Sequence, residues 1–431
     1  AFFNCLRYPA AESIYDAKGH LAYIEAVATD WTFPVATEGF SFFHPPLYHT
    51  VGAGAWRLAE AAGLPGERGV AVLGFAVFAA TLYALHALLL RAGGRLGAVA
   101  TEAALPATAL AASTPVVQQL VVAPSNDLLS VLFAVLLVDR ALVALRHPSR
   151  DSIAVLGLVV GMGMLVKTSL LPMCTGIGAA FAVAMWKRLG PRRTIACLAG
   201  YLGVALAAGG WFYLRNAYLF GNPLISAGDE ASGWRYFQLP TVRTWSFYLT
   251  GAQAFWEHPG RGSYVSFWGG LYNSWHADGF QHWQDYTPDA TPHLLGQQAL
   301  LFLGLPLTLF LLARLLWIGA RAARSAPRPA VLGLVAFPVF LHIVGLLHWS
   351  LAIPVYSTVK GAFVLPLLPL FALALVDAGA RWPANPLRGR AWRMYLLMYC
   401  VVSLAVFNPF AIDRAERGLP APVAATRPAG K

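Results

Sequence analysis

Ionisable side chains are scarce. Asp, Glu, Lys and Arg make up 12% of the 431 residues, about half the roughly 25% usual in a soluble globular chain. With 58% hydrophobic residues and a positive mean hydropathy, that shortage excludes a soluble globular domain and points to a chain that crosses a membrane many times. Cysteine is rare as well, four residues in all. Cys174, Cys197 and Cys400 fall in apolar runs, where a thiol behaves as a small hydrophobe, and Cys5 stands alone, so no disulfide framework is expected. Heptads, internal repeats and low-complexity tracts are missing, which excludes a coiled coil and a solenoid; the Pro- and Ala-rich end Leu419–Lys431 reads as disordered. Polar sequence begins at once after Ala1, with no signal peptide or first span, which implies a spanning helix ahead of it.

A net charge of +11 would suit a nucleic-acid partner, but placement decides against it. The cations gather in five short loops between apolar runs: Arg91/Arg95, Arg146/Arg150, Lys187/Arg188/Arg192/Arg193, Arg321/Arg324/Arg328 and Arg381/Arg388/Arg390/Arg393. The alternate short loops, around Pro124-Ser125-Asn126 and from Trp349 to Lys360, hold only Lys360. This is the positive-inside pattern of a multi-pass membrane protein and not a phosphate-reading face, so no nucleic acid is expected.

About 20 apolar residues cross the hydrocarbon core as a helix. Runs of that kind lie near 69–91, 97–122, 127–145, 153–166, 169–186, 194–213, 297–318, 329–349, 361–378 and 394–412. The fourth and fifth are short, and Lys167 and Pro172 mark the break between them. With the five basic loops on the cytoplasmic side, parity makes 153–186 enter and leave the membrane once. The expected architecture is an all-α polytopic bundle of about ten spans. It has a first extracytoplasmic loop at 1–68, spans in 69–213, a large outer loop at 214–296, further spans in 297–412 and a tail at 413–431.

The polar chemistry is concentrated in the first loop. From Tyr15 to Tyr48 the chain reads YDAKGHLAYIEAVATDWTFPVATEGFSFFHPPLY, with acids at Asp16, Glu25, Asp30 and Glu38 and imidazoles at His20 and His44. His49 follows directly. Pro45-Pro46 fixes its own backbone and pushes His44 out of the helical region, so His44 stands on a rigid entry to the next helix. Further patches lie beyond it: a glycine-rich run ending in Lys167-Thr168-Ser169, Trp211-Phe212-Tyr213-Leu214-Arg215-Asn216 with Phe220-Gly221-Asn222-Pro223, Ser266-Phe267-Trp268-Gly269, and Lys360-Gly361-Ala362-Phe363-Val364-Leu365-Pro366.

Asp16 with GHLAYI and HPPLY resembles the first outer loop of the polyprenyl-phosphate-sugar-dependent glycosyltransferases of GT-C fold. These are relatives of protein O-mannosyltransferases and of the aminoarabinose transferase of lipid A. The later patches resemble that family's glycine-rich L-x-K-x-[ST] helix end, its Trp…R-N…G-N/D-P opening of the large loop (here with three residues between Trp211 and Arg215) and its S-F-W-G segment. The resemblance covers most of the chain in layout and only short patches in sequence. Where relatives carry Arg-Tyr before the L-x-P run, this chain has Ala362-Phe363, with Lys360 as the nearest cation.

The resemblance implies an inverting single displacement at the outer face, with a polyprenyl-phosphate-linked sugar as donor and a glycan, lipid or protein as acceptor. It places the catalytic Asp on Asp16, which could instead cap the helix that begins near Ala17. Glu38 is the second carboxylate, or a surface glutamate in a turn. Asp16, Glu38 and His44 are the candidate ligands of a divalent cation (Mg, Mn or Zn), although their spacing forms no recognised metal motif. His20, His44 and Tyr48 are expected to bind substrate, with His49 structural. Lys167 serves a lipid-phosphate cavity, or snorkels to the interface. Arg215 grips phosphate, or caps the last carbonyls of its helix. Trp268 offers a face to sugar C–H groups, or packs a loop core; His276, beside Asp278, is an acceptor-side candidate, and Lys360 a donor-side cation.

Ionisable residues collected in outer loops, without repeats, favour an enzyme over a transporter or flippase, whose charges sit near the midplane of paired repeats. A surface-glycan polymerase or ligase shares the same chemistry and stays open. The preference for Arg over Lys suits a GC-rich bacterium, and the expected location is the bacterial inner membrane with the site on its outer face.

Overall fold

The structure, a computed structural model, describes residues 10, 16–93, 101–226, 229, 231, 243–251, 266–277, 291–324, 329–354, 358–381 and 386–416. Cys5, Tyr15, Arg95, Asp278, Arg328 and Leu419–Lys431 lie outside them. Among the described residues every regular element is helical, as hydrocarbon demands of a chain that must satisfy its own backbone polar groups.

In order the helices are α1 (Ala17–Asp30), α2 (Leu47–Ala61), α3 (Gly66–Gly93), α4 (Ala104–Ser113), α5 (Pro115–Val121), α6 (Asp127–Arg146), α7 (Arg150–Met164) and α8 (Leu171–Leu189). There follow α9 (Pro191–Ala205), α10 (Trp211–Phe220), α11 (Trp245–Leu249), α12 (Phe267–His276), α13 (Thr291–Arg324), α14 (Pro329–Ala352), α15 (Leu368–Arg381) and α16 (Pro386–Glu416). A π turn at Leu206–Gly210 joins α9 to α10, and a 3₁₀ segment at Gly361–Leu367 leads into α15. Among the described residues eight helical stretches are long and apolar enough to cross a membrane: Gly66–Gly93, Asp127–Arg146, Thr168–Leu189, Pro191–Phe220, Leu295–Ala322, Gly333–Ala352, Gly361–Gly379 and Gly389–Phe407. The protein is an all-α, multi-pass membrane protein.

Eight such stretches are fewer than the ten expected runs. The run at 97–122 breaks after Ser113, because Pro115 has no N–H to give and Thr114 takes an extended conformation ahead of it. The run at 153–166 is the second shortfall. It is a 15-residue helix, opened by a Ser149/Ser152 capping box and closed at Met164. The break after it falls where Lys167 and Pro172 place it: Lys167 is extended, a 3₁₀ turn covers Thr168–Leu170, and Pro172 lies in the first turn of α8. The described part of the first loop carries two helices, α1 and α2, packed on each other.

Two spans are enclosed by the rest. In α6 and Gly361–Gly379, 72% and 78% of the apolar windows are buried, against 22–33% for the peripheral stretches Gly66–Gly93, Pro191–Phe220, Leu295–Ala322, Gly333–Ala352 and Gly389–Phe407. The peripheral ones expose large apolar side chains such as Leu202, Leu206, Leu316 and Phe340, as a surface in lipid should. Both enclosed spans start at one end of the bundle, with Asp127 and with the residue after Lys360. At their other end Asp139 takes Arg91 and Arg140, Arg188 donates to Leu145 O at 2.6 Å, and Arg314 pairs with Asp377. Arg91 and Arg188, from two of the basic loops, therefore share the end opposite Asp127 and Lys360.

Glycine sets how closely α7 lies on its neighbour. A Cβ on Gly161 would strike the backbone oxygen of Ala205 and the side chain of Ala208, and one on Gly209 would strike Gly161 itself. The glycine-rich run thus seats α7 against the π turn and fixes where its C-terminal break emerges.

Candidate functional site

The break after α7 is the floor of the site. Lys167 is 7% exposed and Asp127 6%, and their Nζ–Oδ1 distance is 2.5 Å. Lys167 therefore does not snorkel to the interface; it is a buried cation with a buried partner. Its ammonium also lies 5.5 Å from the Phe363 ring centre, in the segment that Lys360 opens. Asn126, next to Asp127, donates from Nδ2 to Val166 O at 3.0 Å and closes the broken helix end.

The first loop docks on this floor through its proline pair. Leu47 N–H donates to Leu165 O at 2.9 Å, so α2 begins where α7 ends. Pro46 occupies the N-cap position of α2, where a missing N–H costs nothing. At the far end of α1, Trp31 takes a left-handed φ of 55°, unusual without glycine. Arg57 of α2 holds that turn: it donates to Ala28 O at 2.5 Å and Thr29 O at 3.1 Å and lies 4.9 Å over the Trp31 ring. These contacts fix α1 on α2, and with it Asp16 at the start of α1.

Asp16 stands at the N-cap position without capping: its side chain makes no cap hydrogen bond. Among the described residues its half-buried carboxyl has no hydrogen-bond or ion-pair partner. Burial pushes the carboxyl above its ordinary 3.8, Lys360 and Lys167 pull it back, and Asp127 adds to the rise. Asp16 is thus a loose carboxylate in the field of two lysines. Lys360 is extended and half-buried, likewise without a side-chain partner among the described residues. Its backbone is held where Gly361 N–H donates to Ser274 Oγ of α12 at 2.6 Å. Arg243 ties the large loop to the same region, donating to Ser350 O at 2.8 Å and Thr358 Oγ1 at 3.2 Å.

The imidazoles come together beside Asp16. The His20 and His44 rings stack with centres 4.9 Å apart and planes 18° apart, and His20 Nδ1 meets His49 Nε2 at 3.0 Å. Burial holds His20 down at about 3 and His44 and His49 well below 6.5, with nearby Lys167 adding to the fall at His20 and His44. All three are neutral rings, so none supplies a cation for phosphate. His44 keeps both ring nitrogens free of protein partners among the described residues. Tyr48 is buried, edge-on to His20 and His49, and burial raises its phenol well above 10.

The other expected residues stand differently. Glu38 is exposed, and its carboxylate accepts from Val35 N–H at 2.9 Å within its own turn. No group of three His, Cys, Asp or Glu side chains among the described residues could hold a metal, so Asp16, Glu38 and His44 do not meet as a ligand set there. Arg215 donates to Phe33 O at 2.8 Å and Pro34 O at 3.1 Å, which ties the start of the large loop to the first loop; it does not cap its own helix. Trp268, 43% exposed, donates its indole N–H to Tyr248 O at 2.8 Å, in a turn capped by Ser266. His276 is buried with both nitrogens committed, to Tyr399 at 2.7 Å and Thr308 at 2.9 Å, and so anchors α12 to the spans where an acceptor contact was expected. Asp127 and Asn126 are the members that sequence reasoning missed. An acid at the end of a span, with a lysine at the end of a later one, was the available signal.

No protein-family model matches the chain, and no curated protein matches it either.

Proposed function

We propose that the protein is an integral-membrane glycosyltransferase that moves a sugar from a polyprenyl-phosphate donor to an acceptor hydroxyl or amine at the extracytoplasmic face. The observation that carries this is Asp16: a carboxylate without a partner among the described residues, raised above its ordinary range, in the field of Lys360 and Lys167 where the two enclosed spans begin. In the reaction Asp16 accepts the acceptor proton as the acceptor attacks the anomeric carbon. The C–O bond to phosphate breaks with inversion, and polyprenyl phosphate leaves. The leaving group is good, so positioning, proton removal and charge stabilisation are the tasks left to the protein. Lys360, whose ammonium has no partner among the described residues, is the first candidate to meet the phosphate, and Lys167, already paired, supports it from below. His44 is open to a sugar hydroxyl. The basic loops at the opposite end of the bundle agree with an extracytoplasmic site by the positive-inside rule.

Purified protein in a defined bilayer, given a polyprenyl-phosphate sugar and candidate acceptors, tests this. Sugar leaving the lipid with inverted configuration supports it. Movement of the intact lipid between leaflets without cleavage would make the protein a flippase instead.

The pH profile carries a signed expectation. Lys360 lowers the pKa of Asp16, so Lys360→Met lets it climb further. The acid limb of kcat/KM, which reports the free enzyme, should move to higher pH in the variant. A limb that stays in place or moves to lower pH separates Lys360 from the base.

A further inference from the structure

The hydrogen bonds around His49 have only one consistent direction. Pro45 offers a carbonyl oxygen, which accepts and cannot donate, and His49 Nδ1 lies 3.3 Å from it. The His49 proton therefore sits on Nδ1. Because the ring is buried and neutral, its Nε2 carries a lone pair. His20 Nδ1, 3.0 Å from that lone pair, must be the donor. The two ring planes differ by 11° and their centres are 5.3 Å apart, as for imidazoles joined edge to edge near a common plane, which aligns an N–H with an in-plane lone pair. A neutral His20 that is protonated on Nδ1 keeps a lone pair on Nε2. That nitrogen has no partner among the described residues and, unlike His342 Nδ1, is not sealed from access.

His49 is held as firmly as a fixed acceptor requires. Tyr23 lies face to face with it, centres 3.8 Å apart and planes 14° apart, and Tyr48 meets it edge-on at 5.4 Å. Its other anchor is a proline in a rigid pair, four residues earlier. The geometry points to His49 as a positioning residue that locks His20 in the Nδ1–H tautomer and presents its Nε2, one helical turn from Asp16, as a hydrogen-bond acceptor for a substrate hydroxyl. The substrate half of this rests on the glycosyltransferase function proposed above; the tautomer half does not.

The test uses the full chain in lipid, labelled with ¹⁵N-histidine. The His20 signals are assigned by their loss in His20→Gln, and the protonated nitrogen is identified by NMR without any substrate. His20 protonated on Nδ1 is expected; protonation on Nε2 overturns the lock. His49→Phe keeps a ring between Tyr23 and Tyr48 but removes the acceptor, so His20 should lose its single tautomer. The KM of the hydroxyl-bearing substrate should then rise about tenfold, the scale of one hydrogen bond. His49→Gln, whose side-chain oxygen reaches the place of Nε2, should restore both the tautomer and most of the affinity. Equal losses in the Phe and Gln variants would reduce His49 to packing. A wild-type protein with the Nδ1–H tautomer and no transfer activity would sink the proposed function and leave the lock standing.

Discussion

Asp16→Asn should lower turnover by about 10²–10⁴, equivalent to about 3–5 kcal/mol of barrier, while the protein inserts, folds and binds donor as before. Stability should survive for reasons visible at the site. The carboxyl caps nothing and has no partner among the described residues, so the amide forfeits no interaction. The sign of the pKa shift agrees. A carboxyl raised in the folded state is favourable when protonated, and its contribution is lost as pH rises through the folded value. At neutral pH, therefore, a neutral Asn removes a mild liability. Donor consumption, donor affinity and the thermal midpoint in detergent separate the outcomes. A fully active Asn variant would remove Asp16 as the base, and a variant that lost its fold together with its activity would return Asp16 to a structural role.

The fold was legible because its cause is local. Apolar runs of spanning length, punctuated by arginines, are written in consecutive residues, and so is the break at Lys167 and Pro172. Even the break inside the run at 97–122 is written in Pro115, whose missing N–H ends α4 at Ser113. The site was legible only in part, because partners are chosen by depth in the bundle and not by distance in sequence. Lys167 could be singled out as a costly intramembrane charge, but Asp127 lies 40 residues away on another span. Arg215 could be recognised as a fork of donors, yet nothing near it in sequence announced that carbonyls more than 180 residues earlier would occupy it. His276 was drawn toward the acceptor by its aromatic surroundings and belongs to the packing of α12 on the spans. The positioning role proposed for His49 was out of reach for the opposite reason. Its role depends on which atoms accept, and that requires Pro45 O and His20 Nδ1 to be seen in place.

The pair beneath the site makes the second large prediction. Lys167→Met leaves Asp127 as a buried carboxylate with no cation, and breaking a buried pair from one side costs about 3–5 kcal/mol, because the surviving charge stays desolvated. The expected result is a sharp fall in thermal midpoint and in the yield of folded protein. Adding Asp127→Leu removes the stranded charge, and an apolar replacement of the whole pair is often neutral or better. The double variant should therefore recover most of the lost stability. Donor affinity should not recover with it, since the double variant still lacks the cation that helps to hold Asp16 ionised and supports the phosphate. Recovery of stability together with donor binding would show that the pair only braces the α7–α8 break and leave the anion to Lys360. Failure to recover stability would mean that Asp127 does more in the fold than balance Lys167, with its neighbour Tyr48 the first place to look. Either result is read from two measurements on one protein, a melting curve and a donor titration, and neither depends on knowing the acceptor.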